Sequence, residues 1–124
     1  MGLNFIIILK NWSKVLGATK RLHYFAIESF PLSKDNLKIA KQRFPDLANE
    51  YQELIDKYPP IHTGFHRIWL KSSAVALTLI FEPTWRGISQ IEGKFDAWFL
   101  SQFSNESAPD QWSPAIFSEI SRLS

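Results

Sequence analysis

The acidic residue that closes the segment RLHYFAIE, residues 21–28, is the side chain with the clearest chemical potential in this sequence. The segment is short, apolar and rich in aromatic residues, which is typical of a buried strand that ends at Glu28. Burial of a carboxylate is unfavourable unless water or a ligand meets it. In Rossmann-like folds an acid here accepts hydrogen bonds from ribose hydroxyls, about 20 residues after a glycine-rich turn. No such turn precedes Glu28, so a solvated strand-end carboxylate remains the alternative.

A second strand end of chemical interest is predicted in DAWFLSQF, residues 96–103. The apolar residues 97–100 predict a buried strand, and the polar Ser101 and Gln102 follow it. Ligands of parallel α/β sheets bind just beyond the carboxyl ends of such strands. Ser101 is not expected to be a nucleophile, because it lacks the glycine neighbours of a nucleophile elbow and no His–acid pair is suggested.

Two histidines have a spacing that suits metal binding on a helix. His62 and His66 are four residues apart, which would place two ligands on one helical face. They follow Pro59-Pro60 and straddle Gly64, so a helix is not expected there. With no cysteine in the chain and no acidic pair nearby, no metal site is predicted.

A basic row lies on one predicted helix. Lys34, Lys38 and Lys41 recur at i, i+4 and i+7 and therefore share a face. A solvated face is the plain interpretation, and contact with RNA phosphates is the alternative. The net charge of +2 and the pI of about 9.0 are compatible with an RNA partner but do not require one.

The composition is that of an ordinary soluble domain. A length of 124 residues favours one domain, and 45% hydrophobic residues argue against disorder. The absence of cysteine excludes disulfides and thiol nucleophiles and fits the cytoplasm. The apolar run at residues 5–9 is too short to span a membrane, so no membrane partner is expected.

Apolar runs alternate with helical patterns along the chain, which predicts an α/β fold with parallel strands. Residues 3–15 are ambiguous, because a β-branched run overlaps a helical spacing of apolar residues. The remaining predicted elements are a strand at 21–28, a helix capped by Ser33, a helix at 46–57, hairpin strands at 65–71 and 74–81, a short helix or loop at 84–94, a strand at 96–100 and a helix that starts at Ser113-Pro114.

Five segments, in this order, resemble the MnmC-like methyltransferase domain: LHYFAIESFPLS (22–33), YPPIHTGFHRIWL (58–70), VALTLIFE (75–82), FDAWFLSQF (95–103) and PDQWSPAIF (109–117). That domain uses S-adenosylmethionine to methylate an aminomethyl group on the wobble uridine of certain tRNAs. In the bifunctional protein it is fused to an FAD-dependent oxidase, and this chain has no FAD fingerprint. The resemblance implies S-adenosylmethionine as cofactor and tRNA as partner, with no metal.

The resemblance also assigns site residues. It places GLNF (residues 2–5) at the tail of a glycine-rich cofactor loop, which implies that a helix follows it. It gives Glu28 the ribose-binding role and puts the two next residues on the cofactor side. Glu82 stands near the position of an acid that meets adenine. The implied cofactor site comprises Gly2, Asn4, Glu28, Ser29, Phe30 and Glu82.

Several positions depart from the family pattern. Only the last glycine of the cofactor loop is present, and the strand that feeds the loop is absent. Ser101 occupies the position of an Asp that would face the substrate amine, and a serine cannot supply negative charge. The catalytic residue is therefore unknown, and weak or no cofactor binding is expected from these residues.

The resemblance implies a partial Rossmann-like class I methyltransferase sheet over residues 1–124, a single partial domain with flanking helices and one antiparallel hairpin. The first and last strands of the sheet are expected to be lacking. The first would lie between the strands that end at Glu28 and Leu100, so we expect a marginal sheet. The chain would repair it by direct pairing of those two strands or by self-association through unpaired strands. Two alternatives stay open: a non-catalytic α/β module that binds RNA or a protein partner through the lysine row, and an incomplete gene copy with no separate function.

Overall fold

The computed structural model describes residues 2–16, 21–71, 74–99 and 114–124. These residues form a mixed α/β fold, which confirms the predicted class. A short 3-10 turn at Pro45–Leu47 precedes the third helix. The elements in chain order are α1 (Gly2–Leu16), β1 (Leu22–Ile27), α2 (Lys34–Arg43), α3 (Ala48–Lys57), β2 (Gly64–Leu70), β3 (Val75–Phe81), α4 (Thr84–Ser89) and α5 (Pro114–Arg122).

The three strands lie in the order β1-β3-β2. β1 runs parallel to β3, with Leu22 opposite Val75. β2 runs antiparallel to β3, which confirms the predicted hairpin. All seven residues of β3 are buried, as expected for a central strand that is apolar throughout. The Ser-Ser pair predicted to form the turn lies outside the described residues.

The ambiguous N-terminal segment is a helix, as the resemblance implies. Phe5, Ile6 and Leu9 are buried, whereas Leu3 and Ile7 are exposed. This is the 3.6-residue period of a helix that presents one face to the core. Tertiary packing therefore overrides the local strand preference of the three consecutive isoleucines.

α2 and α3 cover the same face of the sheet as α1. The hydroxyl of Ser33 accepts a hydrogen bond from the backbone N–H of Asn36 at 3.1 Å, so the predicted N-cap is confirmed. α3 buries Tyr51, Leu54 and Ile55 against the sheet. The acidic first turn and basic last turn of this helix suit its dipole.

α4 and α5 pack on the opposite face, where the core consists of Ile80, Ile88, Ile91, Ile116 and Leu123. The backbone N–H of Phe95 donates to the carbonyl of Leu123 at 2.7 Å and ties the segment after α4 to the end of α5. The helix predicted from Ser113-Pro114 is thereby confirmed, and helices flank both faces of the sheet.

The predicted strand at 96–100 is wrong for residues 96–99, which are irregular. Phe99 is 54% exposed, and this segment is held instead by aromatic contacts. The ring of Phe95 lies 5.0 Å from that of Phe25 and 5.5 Å from that of Trp98. A strand needs a paired neighbour, and within the described ranges β1 pairs with β3 alone. Leu100, Ser101 and Gln102 lie outside those ranges.

The free edge of β1 can be assigned from its hydrogen bonds. The N–H of Leu22 donates to the carbonyl of Ala74 at 2.9 Å. The N–H of Glu28 donates to Ile80 in the same way, also at 2.9 Å. Because residues of a parallel strand alternate between its two neighbours, His23, Phe25 and Ile27 direct their backbone groups to the other edge. The predicted direct repair of the sheet by residues 96–99 is not seen.

Candidate functional site

Two buried carboxylates stand at the carboxyl edge of the sheet. β1 and β3 are parallel, so their carboxyl ends lie at the same edge. Glu28 follows β1 directly and Glu82 follows β3, and each is only 8% exposed. This is the edge at which open α/β sheets bind ligands. The parallel pairing of β1 and β3 therefore brings the two acids to one edge of the sheet.

A cavity of about 600 Å³ runs along the free edge of β1. Its volume is in the usual range of small-molecule sites. Asn4 of α1 and Glu28 both line it, and Thr84 and Ile88 of α4 contribute to the wall. The irregular residues 91–99 and α5 close the remaining side. The cavity thus lies next to the strand that ends at Glu28.

The charge of Glu28 acts on two buried tyrosines. Burial raises the pKa of Tyr24, and the carboxylate of Glu28 raises it further. Burial and then the same carboxylate raise the pKa of Tyr58 to about 12. Both phenols therefore stay protonated at neutral pH. The ring of Tyr24 also packs edge-on against Phe5 at 4.9 Å, which fixes the cavity wall.

A smaller pocket of about 210 Å³ adjoins the second carboxylate and is lined by Ser29, His62, Thr63 and Glu82, among others. Within the described part of the chain, Oε2 of Glu82 is buried without a hydrogen-bond partner. Nη1 of Arg86 lies 3.9 Å from this oxygen, on a largely exposed side chain. A buried acceptor that lacks a donor is costly, and a ligand amino group would satisfy it.

Ser29 connects the two hollows. Its hydroxyl lies 3.4 Å from that of Thr84, and either oxygen can donate. Ser29 lines the small pocket and Thr84 lines the large cavity. The two hollows therefore adjoin at this pair of hydroxyls.

The positions of the predicted cofactor residues are as follows. Asn4 and Glu28 share the large cavity, and Ser29 and Glu82 share the small pocket. Phe30 is 68% exposed beside them. Gly2 is the first residue of α1. Ser101, which occupies the position of the family Asp, lies outside the described residues.

Sequence reasoning overlooked several residues that line the two hollows. Tyr24 and Trp12 line the large cavity, although neither was singled out. Thr84, a hydroxyl just beyond the end of β3, was accessible to the same strand-end argument that identified Glu28. His62 was considered only as a metal ligand, yet it lines the small pocket.

The histidine pair is arranged for packing. Nε2 of His66 lies 2.7 Å from the backbone carbonyl of His62, and its ring lies 5.0 Å from that of Phe81. Across the described ranges, no cluster of three or more His, Asp or Glu residues is placed to hold a metal ion. None of the described helices is both long and apolar enough to cross a membrane.

The lysine row on α2 is only partly free in solvent. Nζ of Lys41 donates to Oε1 of Gln52 at 2.7 Å, which ties α2 to α3. Lys34 and Lys38 are exposed. Two of the three cations thus remain available on this helix.

Comparison with known proteins identifies the family of this chain. Residues 45–124 match the family described as S-adenosyl-L-methionine-dependent methyltransferase. The chain is 36% identical over 123 residues to the tRNA 5-methylaminomethyl-2-thiouridine biosynthesis bifunctional protein MnmC of Pseudomonas entomophila, covering 99% of this chain and 19% of that protein. The protein of the same name from Magnetococcus marinus is 37% identical over 123 residues, covering 99% of this chain and 18% of the relative. The chain spans about a fifth of the length of these curated relatives.

Proposed function

Because this chain belongs to the S-adenosyl-L-methionine-dependent methyltransferase family, we propose that it forms the nucleoside-binding part of a tRNA-modifying methyltransferase. The proposed reaction moves a methyl group from S-adenosylmethionine to an aminomethyl group on a wobble uridine. The observation that carries the proposal is the pair of buried acids, Glu28 and Glu82, at the carboxyl ends of two parallel strands. The printed names of the relatives, which concern tRNA thiouridine biosynthesis, support the substrate class.

The residues at this edge suit the nucleoside half of the cofactor. Glu28 would accept hydrogen bonds from ribose hydroxyls, which is the role of an acid at this point of a Rossmann-like fold. The unsatisfied Oε2 of Glu82 would accept a hydrogen bond from the amino group of adenine. Ser29 follows Glu28 directly and lines the same pocket as Glu82, so its hydroxyl would bind the same nucleoside.

The described residues offer fewer groups that could bind the methionine half of S-adenosylmethionine. The family resemblance assigns it to a glycine-rich loop, of which these residues include Gly2 alone. The first N–H groups of α1 are free to bind a carboxylate, since a helix leaves its first four donors unsatisfied. We therefore expect weak cofactor binding by these 124 residues.

The chemistry supplied by the bound cofactor is an electrophilic methyl group on a sulfonium ion. The protein would contribute position and electrostatics. An amine that arrives deprotonated needs little base catalysis, so alignment within the cavity would give most of the rate. The negative charge of Glu28 at the cavity wall would also favour positively charged groups. We propose the cytoplasm as the site of the reaction, because the proposed substrate is a tRNA.

Calorimetry with adenosine and with S-adenosylmethionine tests this assignment. Since the described residues recognise mainly the nucleoside, the two ligands should bind with dissociation constants within about tenfold of each other, both weaker than about 100 μM. Glu28→Gln and Glu82→Gln should each weaken adenosine about 5- to 20-fold. Glu53→Gln, on the surface of α3, serves as the matched control.

Two results would contradict the proposal. Micromolar binding of S-adenosylmethionine with no measurable binding of adenosine would place recognition in the methionine half. Adenosine binding that is unchanged by both acid substitutions would place the nucleoside elsewhere. Transfer of labelled methyl groups to tRNA that carries the aminomethyl uridine, abolished by Glu28→Gln, would extend the result from binding to activity.

A further inference from the structure

The outer face of β2 carries an exposed row of large side chains. Strand alternation turns Ile68 and Leu70 toward the core of α1, α2 and α3. The alternate residues of the strand, Phe65, Arg67 and Trp69, point to the opposite face. Phe65 is 45% exposed and Trp69 is 40% exposed, although both are large and apolar. Large apolar side chains that are exposed together on one strand face can mark an interaction site.

Two arginines are held among these rings. Nε of Arg67 donates to the hydroxyl of Thr78 at 3.0 Å, and its guanidinium lies 5.8 Å from the ring centre of Phe25. The guanidinium of Arg21 lies 5.2 Å from the ring centre of Trp69. Both distances suit cation–π contact, which holds the two cations beside the aromatic rings of this face.

The charge of this face is uniformly positive. None of the residues of the three strands is acidic. Arg67 forms no ion pair with any acid in the described ranges, so its charge is not neutralised by a protein neighbour. His23 lies beside Trp69 across β3 in the strand register. An anionic partner is therefore favoured.

The face is continuous with the large cavity. Arg21, His23 and Phe25 line the cavity and also border the exposed row on β2. Phe25, Thr78 and Arg67 lie side by side across the three strands. A chain bound on the face would thus reach the cavity that contains Glu28.

We propose that this platform, defined as Arg21, Phe25, Phe65, Arg67 and Trp69, binds single-stranded RNA beside the cavity. Aromatic rings on an open sheet face stack unpaired bases, and arginines among them contact phosphates or stack in turn. The inference rests on the proposed function, because the RNA would be the nucleotides that flank the modified uridine. The platform is distinct from the lysine row on α2, a helix that contains no aromatic residue.

Fluorescence anisotropy with a labelled single-stranded RNA of about 10 nucleotides tests the platform. Trp69→Ala and Phe65→Ala should each weaken binding about 5- to 100-fold through lost stacking, and Trp69→Phe should recover most of the affinity. Arg67→Ala should also weaken binding and lower the slope of log affinity against log salt by about 1. Circular dichroism melts confirm that each variant is folded, and Trp69→Phe and Arg67→Lys keep the test valid if an alanine variant unfolds.

The matched control is Lys34→Ala combined with Lys38→Ala, which should bind RNA within about twofold of the unmodified chain at constant salt. Loss of binding in this variant, with full binding by Arg67→Ala and Trp69→Ala, would overturn the proposal in favour of the helix. No binding by the unmodified chain at about 50 mM salt would also overturn it and leave the face to a protein partner. The titrations contain no cofactor, so failure of the proposed nucleoside site is distinguishable from failure of the platform.

Discussion

The backbone N–H of Glu28 donates to the carbonyl oxygen of Ile80 at 2.9 Å, which joins the end of β1 to the end of β3. Two residues beyond Ile80 the chain reaches Glu82, so one parallel ladder delivers both buried acids to the same edge. The relation depends on backbone pairing alone. Side-chain substitution at Glu28 or Glu82 should therefore change the chemistry of the edge while it leaves the sheet register intact.

The effect of the Glu28 carboxylate on the pKa values of nearby tyrosines should be measurable. Burial and then Glu28 raise the pKa values of Tyr24 and Tyr58, whereas burial alone raises that of Tyr51. Glu28→Gln should lower the first two pKa values and leave the third unchanged, because only the first two feel the carboxylate. All three should remain above 10, since burial is the larger cause. Carbon NMR of the ring Cζ atoms reports each of the three tyrosines separately, and an equal shift at Tyr51 would contradict the assignment.

Tyr58 should also make the stability of the protein sensitive to alkaline pH. Its pKa is about 12 in the folded chain and about 10 when unfolded. The folded state thus holds the proton more tightly, and this contribution is complete below pH 10 and is lost as the pH rises towards 12. Urea unfolding at intervals across this window should show a smaller decline for Tyr58→Phe than for the unmodified chain. Equal declines would show that Tyr58 does not contribute.

Gly87 should be required for the close approach of α4 to the sheet. A Cβ at this position would lie 2.9 Å from Cγ2 of Ile27 and 3.0 Å from Cγ2 of Ile80. Both neighbours are stiff β-branched side chains, so they cannot move aside easily. Gly87→Ala should lower the free energy of unfolding by about 1–3 kcal/mol despite its better helix propensity. Ser89→Ala, exposed on the same helix, is the control; a Gly87→Ala variant as stable as this control would refute the packing argument.

The elements that were predicted correctly contain the diagnostic residue patterns within their own segments. β2 and β3 are apolar or alternating runs with breakers at their ends, and Ser33 marks the start of α2 by a local hydrogen bond. Residues 96–99 also form an apolar run, yet they are irregular. A run of this kind becomes a strand only when a neighbour pairs with it, and sheet neighbours are not encoded in the periodicity of the segment itself.

The candidate site was also partly predictable, because some of its residues have local sequence signals and others do not. Glu28 was identified because an acid that ends a buried strand is conspicuous in sequence, whereas Glu82 was assigned by the family resemblance. Tyr24 and Trp12 escaped notice, since a cavity wall made of aromatic residues reads as ordinary core. The platform on β2 depends on strand order and on the extent of α4 and α5, which only the three-dimensional structure reveals.

Among the described residues, no strand pairs with the edge of β1 that faces away from β3, and this edge should promote association of the chain with itself. The N–H and carbonyl groups of His23, Phe25 and Ile27 point away from β3, and unpaired strand edges recruit other strands. Sedimentation velocity over a wide concentration range should therefore show species larger than the monomer. His23→Pro removes one edge donor but no bond to β3, so it should reduce association, and His23→Ala should not.

Comparison of His23→Pro with His23→Ala separates pairing at the strand edge from contacts of the side chain. Because His23 is exposed, the two substitutions remove the same side chain and differ mainly in the backbone donor. Equal effects of His23→Pro and His23→Ala would assign any association to the imidazole. A chain that stays monomeric at all concentrations and unfolds cooperatively, with a free energy of unfolding above about 5 kcal/mol, would show that the edge needs no partner.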